Sequence, residues 1–463
     1  MTQLSLPTAF IEAQKSILPA EEWPKFEAAV TKSEAVTSIR LNPGKPLPPG
    51  ALPFEGAREV PWCKEGRYLA ERPSFTLDPL LHAGAYYVQE ASSMFVSHVV
   101  RSLVKEPVTA LDLCASPGGK TTALLASLPE GSFLVSNEID RRRARILAEN
   151  VTKWGAPDVI VTANAPADFT PLTSAFGLIL VDAPCSGEGM FRKDPDAIRE
   201  WSPRKVDECV ATQRKILRDI WPCLRPGGIL IYSTCTYNTH EDEEMLAWLC
   251  DELGAEALEV PSEASWHIRA PLTGNLPCYR FMPHCTEGEG LFMCAVRKAG
   301  DRGENAALRS SRNKSPWKPT AAQRALLDEL FVLPDGYEAI SAGEDSFAFF
   351  PSRYIPLLER LRSARLYCLL TGTELMELKG RDPVPAHALA LTIPWVEKLG
   401  FEDCCEVSYE TAMQYLRREP IVLQDAPRNY ICITYKGLAL GWVKNIGKRA
   451  NNLYPSEWRI RFK

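Results

Sequence analysis

Residues 108–121 read VTALDLCASPGGKT, an apolar run that ends in a turn of small residues and Lys120. Two further runs end in a similar way, GLILVDAPCSG at 177–187 and GILIYSTCT at 228–236. In an open parallel α/β sheet, ligands bind beyond the carboxyl ends of the strands, where such turns lie. These strand ends offer a glycine turn, Asp182 and the thiols of Cys185 and Cys235, and they predict one active site.

The surrounding sequence alternates apolar strands with helices. Strands are predicted at 132–137, 158–163, 177–182 and 228–233, and helices at 121–128, 141–153, 205–224 and 240–253. Alternation with short turns favours an α/β fold with a parallel, doubly wound sheet. The run GLFMCAVR at 290–297 predicts a late antiparallel strand.

The composition is that of a soluble globular protein, with 45% hydrophobic and 24% charged residues in 463. At roughly 150 residues per domain, this length predicts about three domains. The N-terminus lacks the pattern of a signal peptide, and no apolar run approaches the ~20 residues of a membrane span. We therefore expect a cytoplasmic location and no membrane partner.

The 14 cysteines do not indicate a disulfide scaffold, because the chain has neither a signal sequence nor short regular cysteine spacings. No CxxC motif occurs, so no metal site is predicted. Cys185 and Cys235 differ from the others because each follows a strand in a turn rich in Pro, Ser, Gly or Thr.

The net charge of −5 argues at first against a nucleic-acid partner, but the charge is unevenly distributed. Residues 428–463 contain a single acidic residue, Glu457, beside Arg428, Lys436, Lys444, Lys448, Arg449, Arg459, Arg461 and Lys463. This basic end predicts a contact surface for a polyanion such as RNA.

The domain organisation follows from shifts in composition. An N-terminal accessory domain is predicted at 1–70, a catalytic domain at 71–299, a linker with a small mixed segment at 300–365, and a β-rich binding module at 366–463. The proline-rich stretch 43–61 and the polar, basic stretch 298–319 read as connections.

The glycine turn allows a second interpretation, a P-loop NTPase, because Gly119-Lys120-Thr121 copies the end of that motif. The first P-loop glycine would then fall at Cys114, and Pro117 removes an N–H that would bind phosphate. Glu138 stands about 20 residues after Gly118, where a dinucleotide-type fold places the acid that binds ribose hydroxyls. A ribose site suits S-adenosylmethionine and needs no triphosphate cradle.

Three acidic or basic features also have structural interpretations. Glu138 precedes a helix that Asp140 is expected to cap. A negative charge at this end of a helix interacts favourably with the helix dipole, which would also explain an acid at position 138. The acidic residues 241–244 are interpreted as the first turn of a helix, and the arginines 141–143 as a solvated face.

The two thiols suggest a specific chemistry. C5 of a pyrimidine is a poor nucleophile, and addition of a thiolate at C6 creates an enamine whose C5 can attack a methyl sulfonium. A free thiol with a pKa of about 8.5 is mostly protonated at neutral pH, so a positive neighbour such as Lys120 helps. The alternative is that both are buried cysteines without a role.

Several motifs together resemble the Sun-type RNA (cytosine-5) methyltransferases. They are residues 112–121, 137–138, 182–187 and 232–236. Further matches at 188–195, 201–203, 224–228 and 288–290 resemble the bacterial RsmF-like branch, which acts on 16S ribosomal RNA. The resemblance covers about residues 4–300, and residues 445–455 resemble the PUA-like RNA-binding module of that branch.

The resemblance implies a class I methyltransferase fold and an RNA substrate, the RNA of the small ribosomal subunit. S-adenosylmethionine would lie over Cys114, Ala115, Ser116, Pro117, Gly118, Gly119 and Lys120. Its ribose would lie on Glu138, with Asp182 facing cofactor and cytosine. Cys235 would be the nucleophile, and Cys185 would aid product release.

One position departs from the family pattern. After the third strand the family offers an acid near the adenine, whereas this chain has Asn164. An asparagine oxygen can still accept a hydrogen bond from the adenine amino group, but without charge. A monomer is expected. A non-catalytic RNA-binding protein on the same scaffold remains a second alternative, although it would be expected to lack a thiol or Asp182.

Overall fold

The computed structural model describes residues 5–32, 34–48, 50–301, 318–392, 401–423 and 426–461. Residues 302–317 of the predicted linker and the basic residue Lys463 lie outside these ranges. Among the helices described, none combines the length and the apolar character needed to cross a membrane.

The N-terminal part consists of helices and one antiparallel sheet. Its elements are α1 (Thr8–Ile17), α2 (Trp23–Thr31), β1 (Ser38–Leu41), β2 (Arg58–Val60), β3 (Cys63–Tyr68), α3 (Pro79–His82), β4 (Tyr86–Val88) and α4 (Phe95–Leu103). The strand order is β2-β3-β1-β4. Because β4 pairs with β1, this sheet extends from Ser38 to Val88 and crosses the predicted boundary at residue 70.

The central part carries the large mixed sheet. Its elements are β5 (Thr109–Asp112), α5 (Gly119–Ser127), β6 (Phe133–Asn137), α6 (Arg141–Trp154), β7 (Val159–Thr162), β8 (Phe176–Asp182), α7 (Pro195–Glu200), α8 (Pro203–Ile220), β9 (Leu224–Thr234), α9 (Glu243–Leu253), β10 (Ala255–Leu258), β11 (Tyr279–Phe281) and β12 (Leu291–Lys298).

The C-terminal part contains two smaller sheets. Its elements are α10 (Ala321–Leu330), β13 (Tyr337–Ser341), β14 (Ser346–Pro351), α11 (Ile355–Ser363), β15 (Cys368–Thr371), β16 (Thr373–Lys379), β17 (Asp382–Pro385), α12 (His387–Leu391), β18 (Cys404–Glu406), α13 (Tyr409–Leu416), β19 (Asn429–Tyr435), β20 (Leu438–Asn445) and β21 (Ala450–Asn452).

The large sheet has the order β10-β12-β9-β8-β5-β6-β7-β15, with β11 added on β12. The strands β5 to β9 pair in parallel, and β12 pairs antiparallel with β9, as the sequence predicts. The chain runs outward from β5 to β7 and returns to β8, so the order reverses between β5 and β8. This arrangement confirms the doubly wound α/β fold.

Local sequence explains where the helices begin and end. In α6 the Asp140 side chain accepts hydrogen bonds from the backbone N–H groups of Arg142 and Arg143, and Gly155 ends the helix in a left-handed conformation. The predicted helix 205–224 is α8, which ends earlier because Pro222 interrupts it and β9 begins at Leu224.

A sheet also crosses the predicted boundary at residue 365. The strands β13, β14, β16 and β17 form one sheet across it, and β18 to β21 form another. Between them, β15 leaves the small sheets and pairs antiparallel with β7 at the edge of the large sheet. The region 366–463 is therefore β-rich, as predicted, but it is not one separate module.

Arg40 connects the N-terminal sheet to the glycine turn of the central part. Its side chain is fully buried, with the guanidinium 4.5 Å from the centre of the Trp154 ring. It donates hydrogen bonds to Gln89 Oε1 at 2.7 Å and to Thr122 Oγ1 at 2.6 Å. A planar group with several donors is required to make these contacts together.

We predict that Arg40→Lys lowers the free energy of unfolding by about 2–3 kcal/mol, because an ammonium cannot replace the stacked, forked guanidinium. Urea denaturation of both proteins measures this difference. Arg72→Lys, on the exposed surface of the same part, is the matched control. Equal stability of the two variants would contradict a connecting role for Arg40.

Candidate active site

The ends of three neighbouring parallel strands meet at the point where the strand order reverses. Asp182 at the end of β8 is paired with Ser233 of β9, and Asp112 at the end of β5 is paired with Leu180 of β8. The turns that follow these strands carry Cys114, Cys185 and Cys235. The structure therefore places the predicted catalytic turns together at the carboxyl ends of the parallel strands.

A pocket of about 550 Å³ lies at this edge. It is lined by Leu113, Cys114, Ser116, Asn137, Glu138, Ile139, Arg143, Ala165, Pro166, Ala167, Asp182, Ala183, Pro184, Cys185, Gly187, Thr212, Lys215, Ile216, Asp219 and Cys235. Six predicted site residues are in this lining. Ala115, Pro117, Gly118, Gly119, Lys120 and Asn164 are not.

Lys120 nevertheless reaches the site through Asp182. Its Nζ lies 2.8 Å from Asp182 Oδ2, while Ser233 Oγ donates a hydrogen bond to Asp182 Oδ1 at 2.7 Å. Burial alone would lower the pKa of Lys120, but the charges of Asp182 and Cys235 raise it above its ordinary value. Lys120 is therefore a fixed positive charge beside the thiols and Asp182.

The two predicted thiols are in contact. Cys185 Sγ lies 3.2 Å from Cys235 Sγ. The hydrogen bond with Cys235, burial, and the charges of Cys235 and Glu241 raise the pKa of Cys185 well above its ordinary value. Cys185 is thus held as a protonated thiol that can donate to its neighbour.

The other end of the pocket has side chains that fit S-adenosylmethionine. The Glu138 side chain is buried in the lining, where Arg143 NH2 lies 3.5 Å from Oε2 and the Asp140 N–H donates to Oε1. Ile139 is 61% exposed beside it, an apolar surface that suits an aromatic base. The sequence predicted that Arg143 lies on a solvated face. In the structure Arg143 also lines the pocket.

Asp112 is a further acidic residue that sequence reasoning left out of the site. Burial raises its pKa to about 7, and its Oδ2 accepts a hydrogen bond from Thr121 Oγ1 at 2.7 Å. Its buried Oδ1 has no hydrogen-bond partner among the described residues. Asp112 is fully buried and does not line the pocket, so it supports the glycine turn from behind through Thr121.

The glycine turn is held by hydrogen bonds from the neighbouring elements. Ala115 N–H donates to Asn137 O at 2.8 Å, Arg143 donates to Ser116 O at 3.1 Å, and Asn150 donates to Pro117 O at 2.8 Å. Gly118 has a φ of +114°, a conformation that requires glycine. The turn leads directly into α5 at Gly119.

The structure gives Asn164 a different partner from the adenine expected of it. Its Oδ1 accepts a hydrogen bond from Tyr367 N–H at 2.8 Å, and its Nδ2 donates to Tyr367 O at 3.1 Å. Both polar atoms of the amide are therefore bound to the backbone next to β15. A carboxylate could accept but not donate, which explains why an amide replaces the family's acid here.

The prediction that residues 241–244 form the first turn of a helix holds for Glu243 and Glu244, while Glu241 and Asp242 precede the helix. The helix begins at Glu243, and Glu241, Asp242 and Glu243 are buried. Asp242 accepts from Thr234 Oγ1, and Glu243 forms an ion pair with Arg280. Sequence alone could not identify these partners, because Thr234 ends the preceding strand and Arg280 lies in β11, 37 residues further along the chain.

The basic end is partly neutralised. Lys444 Nζ lies 2.7 Å from Asp382, and Lys436 donates to Ala51 O. Lys448 and Arg449 are exposed between β20 and β21. The polyanion surface predicted from composition is therefore better represented by these two residues than by Lys444.

Comparison with known proteins identifies the family of this chain. Residues 103–297 match the model of the 16S rRNA methyltransferase RsmB/F family, and residues 6–91 match the N-terminal domain of 16S rRNA methyltransferase RsmF. Residues 403–460 match the RsmF PUA domain. Ribosomal RNA small subunit methyltransferase F of Cronobacter sakazakii is 30% identical over 98% of this chain and 96% of that protein.

The chain belongs to the RsmF family. The RsmF protein of Erwinia tasmaniensis is 29% identical to this chain, and the match covers 98% of this chain and 97% of that protein. Members of the RsmF family are methyltransferases that use S-adenosylmethionine, and this chain is one of them. The family excludes the P-loop NTPase alternative.

Two solved structures resemble about two thirds of this chain. A methyltransferase homologue from Pyrococcus horikoshii is 26% identical with a TM-score of 0.54, over 64% of this chain and 96% of that one. NSun6 from the same organism, solved with SFG, shares the fold at 19% identity and a TM-score of 0.53, over 64% of this chain and 100% of that one.

We predict that Asn164→Asp lowers the stability of the β7–β15 edge by about 1–3 kcal/mol, because the carboxylate loses a donor and faces the Tyr367 carbonyl oxygen. Hydrogen exchange measured by mass spectrometry should show faster exchange of residues 367–371. Asn451→Asp, at an exposed position, is the control. Wild-type protection in the Asn164 variant would show that the amide does not hold this edge.

Proposed function

We propose that the chain methylates C5 of a cytosine in 16S ribosomal RNA through a covalent bond between Cys235 and C6 of the base. The observation that carries this proposal is the contact between two thiols, 3.2 Å apart, beside a pocket that also contains Asp182. Methylation of a nitrogen or oxygen needs no thiol nucleophile, whereas the unreactive C5 carbon does.

Each side chain has a distinct role in this proposal. The Cys235 thiolate, with Lys120 as its positive neighbour, adds to C6, and the electron pair of the C5–C6 bond becomes available at C5. Asp182 holds the base near N3. Bound S-adenosylmethionine supplies the electrophilic methyl group. A water molecule in the pocket takes the proton from C5, the electron pair of that C–H bond re-forms the C5–C6 double bond, and the C6–S bond breaks with its electron pair on the Cys235 sulfur. The protonated Cys185 thiol donates a hydrogen bond to this departing sulfur.

The cofactor is assigned to the same pocket. We propose that Glu138 binds the ribose hydroxyls, and that the turn Cys114–Lys120 with Asp182 surrounds the methionine part. The names of the RsmF relatives support small-subunit ribosomal RNA as the substrate. We further propose that the enzyme works as a monomer in the cytoplasm.

We predict that the two thiol variants fail at different points. Cys235→Ala should form no covalent RNA adduct, because the enamine never appears. Cys185→Ala should attack and transfer the methyl group, and then remain attached to RNA through Cys235. A denaturing gel with labelled 16S rRNA, cofactor and each variant detects the adduct as a retarded band.

Cys250→Ala, on α9 away from the pocket, is the control and should turn over like the wild type. A retarded band for Cys235→Ala alone would reverse the two roles. Normal turnover by both thiol variants would show that neither is catalytic, and the proposed mechanism would be wrong.

A second prediction concerns the exposed basic residues of the C-terminal sheet. Reversing Lys448 and Arg449 to Glu should weaken RNA binding and reduce the log-log salt slope by roughly 0.7 for each lost phosphate contact. Filter binding at several salt concentrations measures both. Reversal of Lys379 and Arg381, an exposed pair on another sheet, controls for net charge. Equal effects of the two double variants would contradict a specific surface at Lys448.

A further inference from the structure

Glu241 lies between the two turns that carry the thiols. Its side chain is fully buried, and its carboxylate accepts hydrogen bonds from Ser186 N–H at 3.0 Å and from Asn238 Nδ2 at 2.9 Å. Ser186 follows Cys185 directly, and Asn238 is three residues after Cys235. One carboxylate therefore bridges the two catalytic turns.

Gln213 of α8 completes this connection. Its Nε2 donates to Glu241 Oε2 at 2.7 Å and to Pro184 O at 3.0 Å. Pro184 and Ser186 flank Cys185, so both neighbours of the thiol are held by the Glu241–Gln213 pair. Cys185 has little freedom to move relative to the Cys235 turn.

The turn that follows Cys235 is also held by hydrogen bonds to a buried carboxylate, that of Glu188. Asn238 Nδ2 also donates to Glu188 Oε1 at 3.0 Å, and the Glu188 Oε2 atom accepts the N–H groups of Tyr237 and Asn238. Burial raises the pKa of Glu188 to about 6. Glu188, Asn238 and Glu241 thus form a chain of buried polar groups behind the thiols.

A buried carboxylate is costly, even when hydrogen-bonded. Among the described residues, no Lys or Arg lies within ion-pair distance of Glu241. An apolar side chain would avoid this desolvation cost but would leave the donors of Ser186, Gln213 and Asn238 without an acceptor. The carboxylate and its donors therefore form one unit, and two of these donors, Ser186 and Asn238, belong to the catalytic turns.

We propose that Glu241 is a positioning residue that holds the Cys185 thiol against Cys235, so that Cys185 can assist release of the methylated RNA. This inference rests on the proposed roles of the two thiols. Glu241 touches neither sulfur in the proposed reaction, and it acts through the backbone on either side of Cys185.

Glu241→Gln tests the proposal with almost no change of shape. Three donors face the carboxylate, and the new NH₂ group must face at least one of them, so a charge-assisted hydrogen bond is lost. We expect turnover to fall and the RNA adduct per active site to rise by about tenfold, the effect of one such bond. Glu244→Gln is the matched control, because Glu244 lies three residues after Glu241 and is exposed. This variant should behave as the wild type.

A second measurement does not depend on RNA chemistry. Dibromobimane bridges thiols that are close together, and mass spectrometry identifies the Cys185–Cys235 peptide among its products. We expect slower bridging in Glu241→Gln than in Glu244→Gln. A protein that merely loses stability would show less adduct and less turnover together, not a higher ratio of adduct to turnover.

Gln213→Met keeps the test available if Glu241→Gln fails to fold. Gln213 Oε1 has no partner among the described residues, so methionine removes the two donated bonds without breaking another. The same rise in adduct and fall in bridging are expected. Wild-type adduct levels and bridging in the folded variants would overturn the role of Glu241. If Cys185→Ala itself forms no adduct, the proposed thiol roles fail, and bridging alone then decides on Glu241.

Discussion

The parallel pairing of β8 with β9 is the constraint on which the active site depends. It sets Asp182 opposite Ser233, so the turns that follow both strands start at the same level. The Ser233–Asp182 hydrogen bond and the contact between the thiols both require this register. A shift by one residue would turn alternate side chains to the other face of the sheet and separate these groups.

The site concentrates charge in a place where burial makes charge costly. Lys120 and Asp182 neutralise one another at the pocket, while Glu188 and Glu241 rely on hydrogen bonds from backbone and amide groups. Such groups restrict the positions that neighbouring turns can adopt, and the raised pKa values of Lys120 and Glu188 are typical of functional sites. In this chain the restriction falls on Cys185 and Cys235.

The sheet could be predicted from the sequence because buried parallel strands are continuous apolar runs. The prediction 132–137 matches β6 (Phe133–Asn137), and 177–182 matches β8 (Phe176–Asp182), each to within one residue. The strand ends then identified both thiols and Asp182. The contacts of Glu241 with Ser186 and Gln213, and of Asn164 with Tyr367, could not be predicted in this way. No local pattern relates positions 28, 55 or 203 residues apart. Strand pairing across residues 70 and 365 could not be predicted for the same reason.

The addition of β15 to the edge of the large sheet has a consequence for how the chain is made. The strands β5 to β12 emerge from the ribosome before β15 does, and until residue 371 has been synthesised the outer edge of β7 has no strand beside it. An unpaired edge is a template for association with other chains. The nascent protein therefore passes through a stage in which its catalytic part is complete in sequence but open to other chains. That stage ends only when its own C-terminal part arrives.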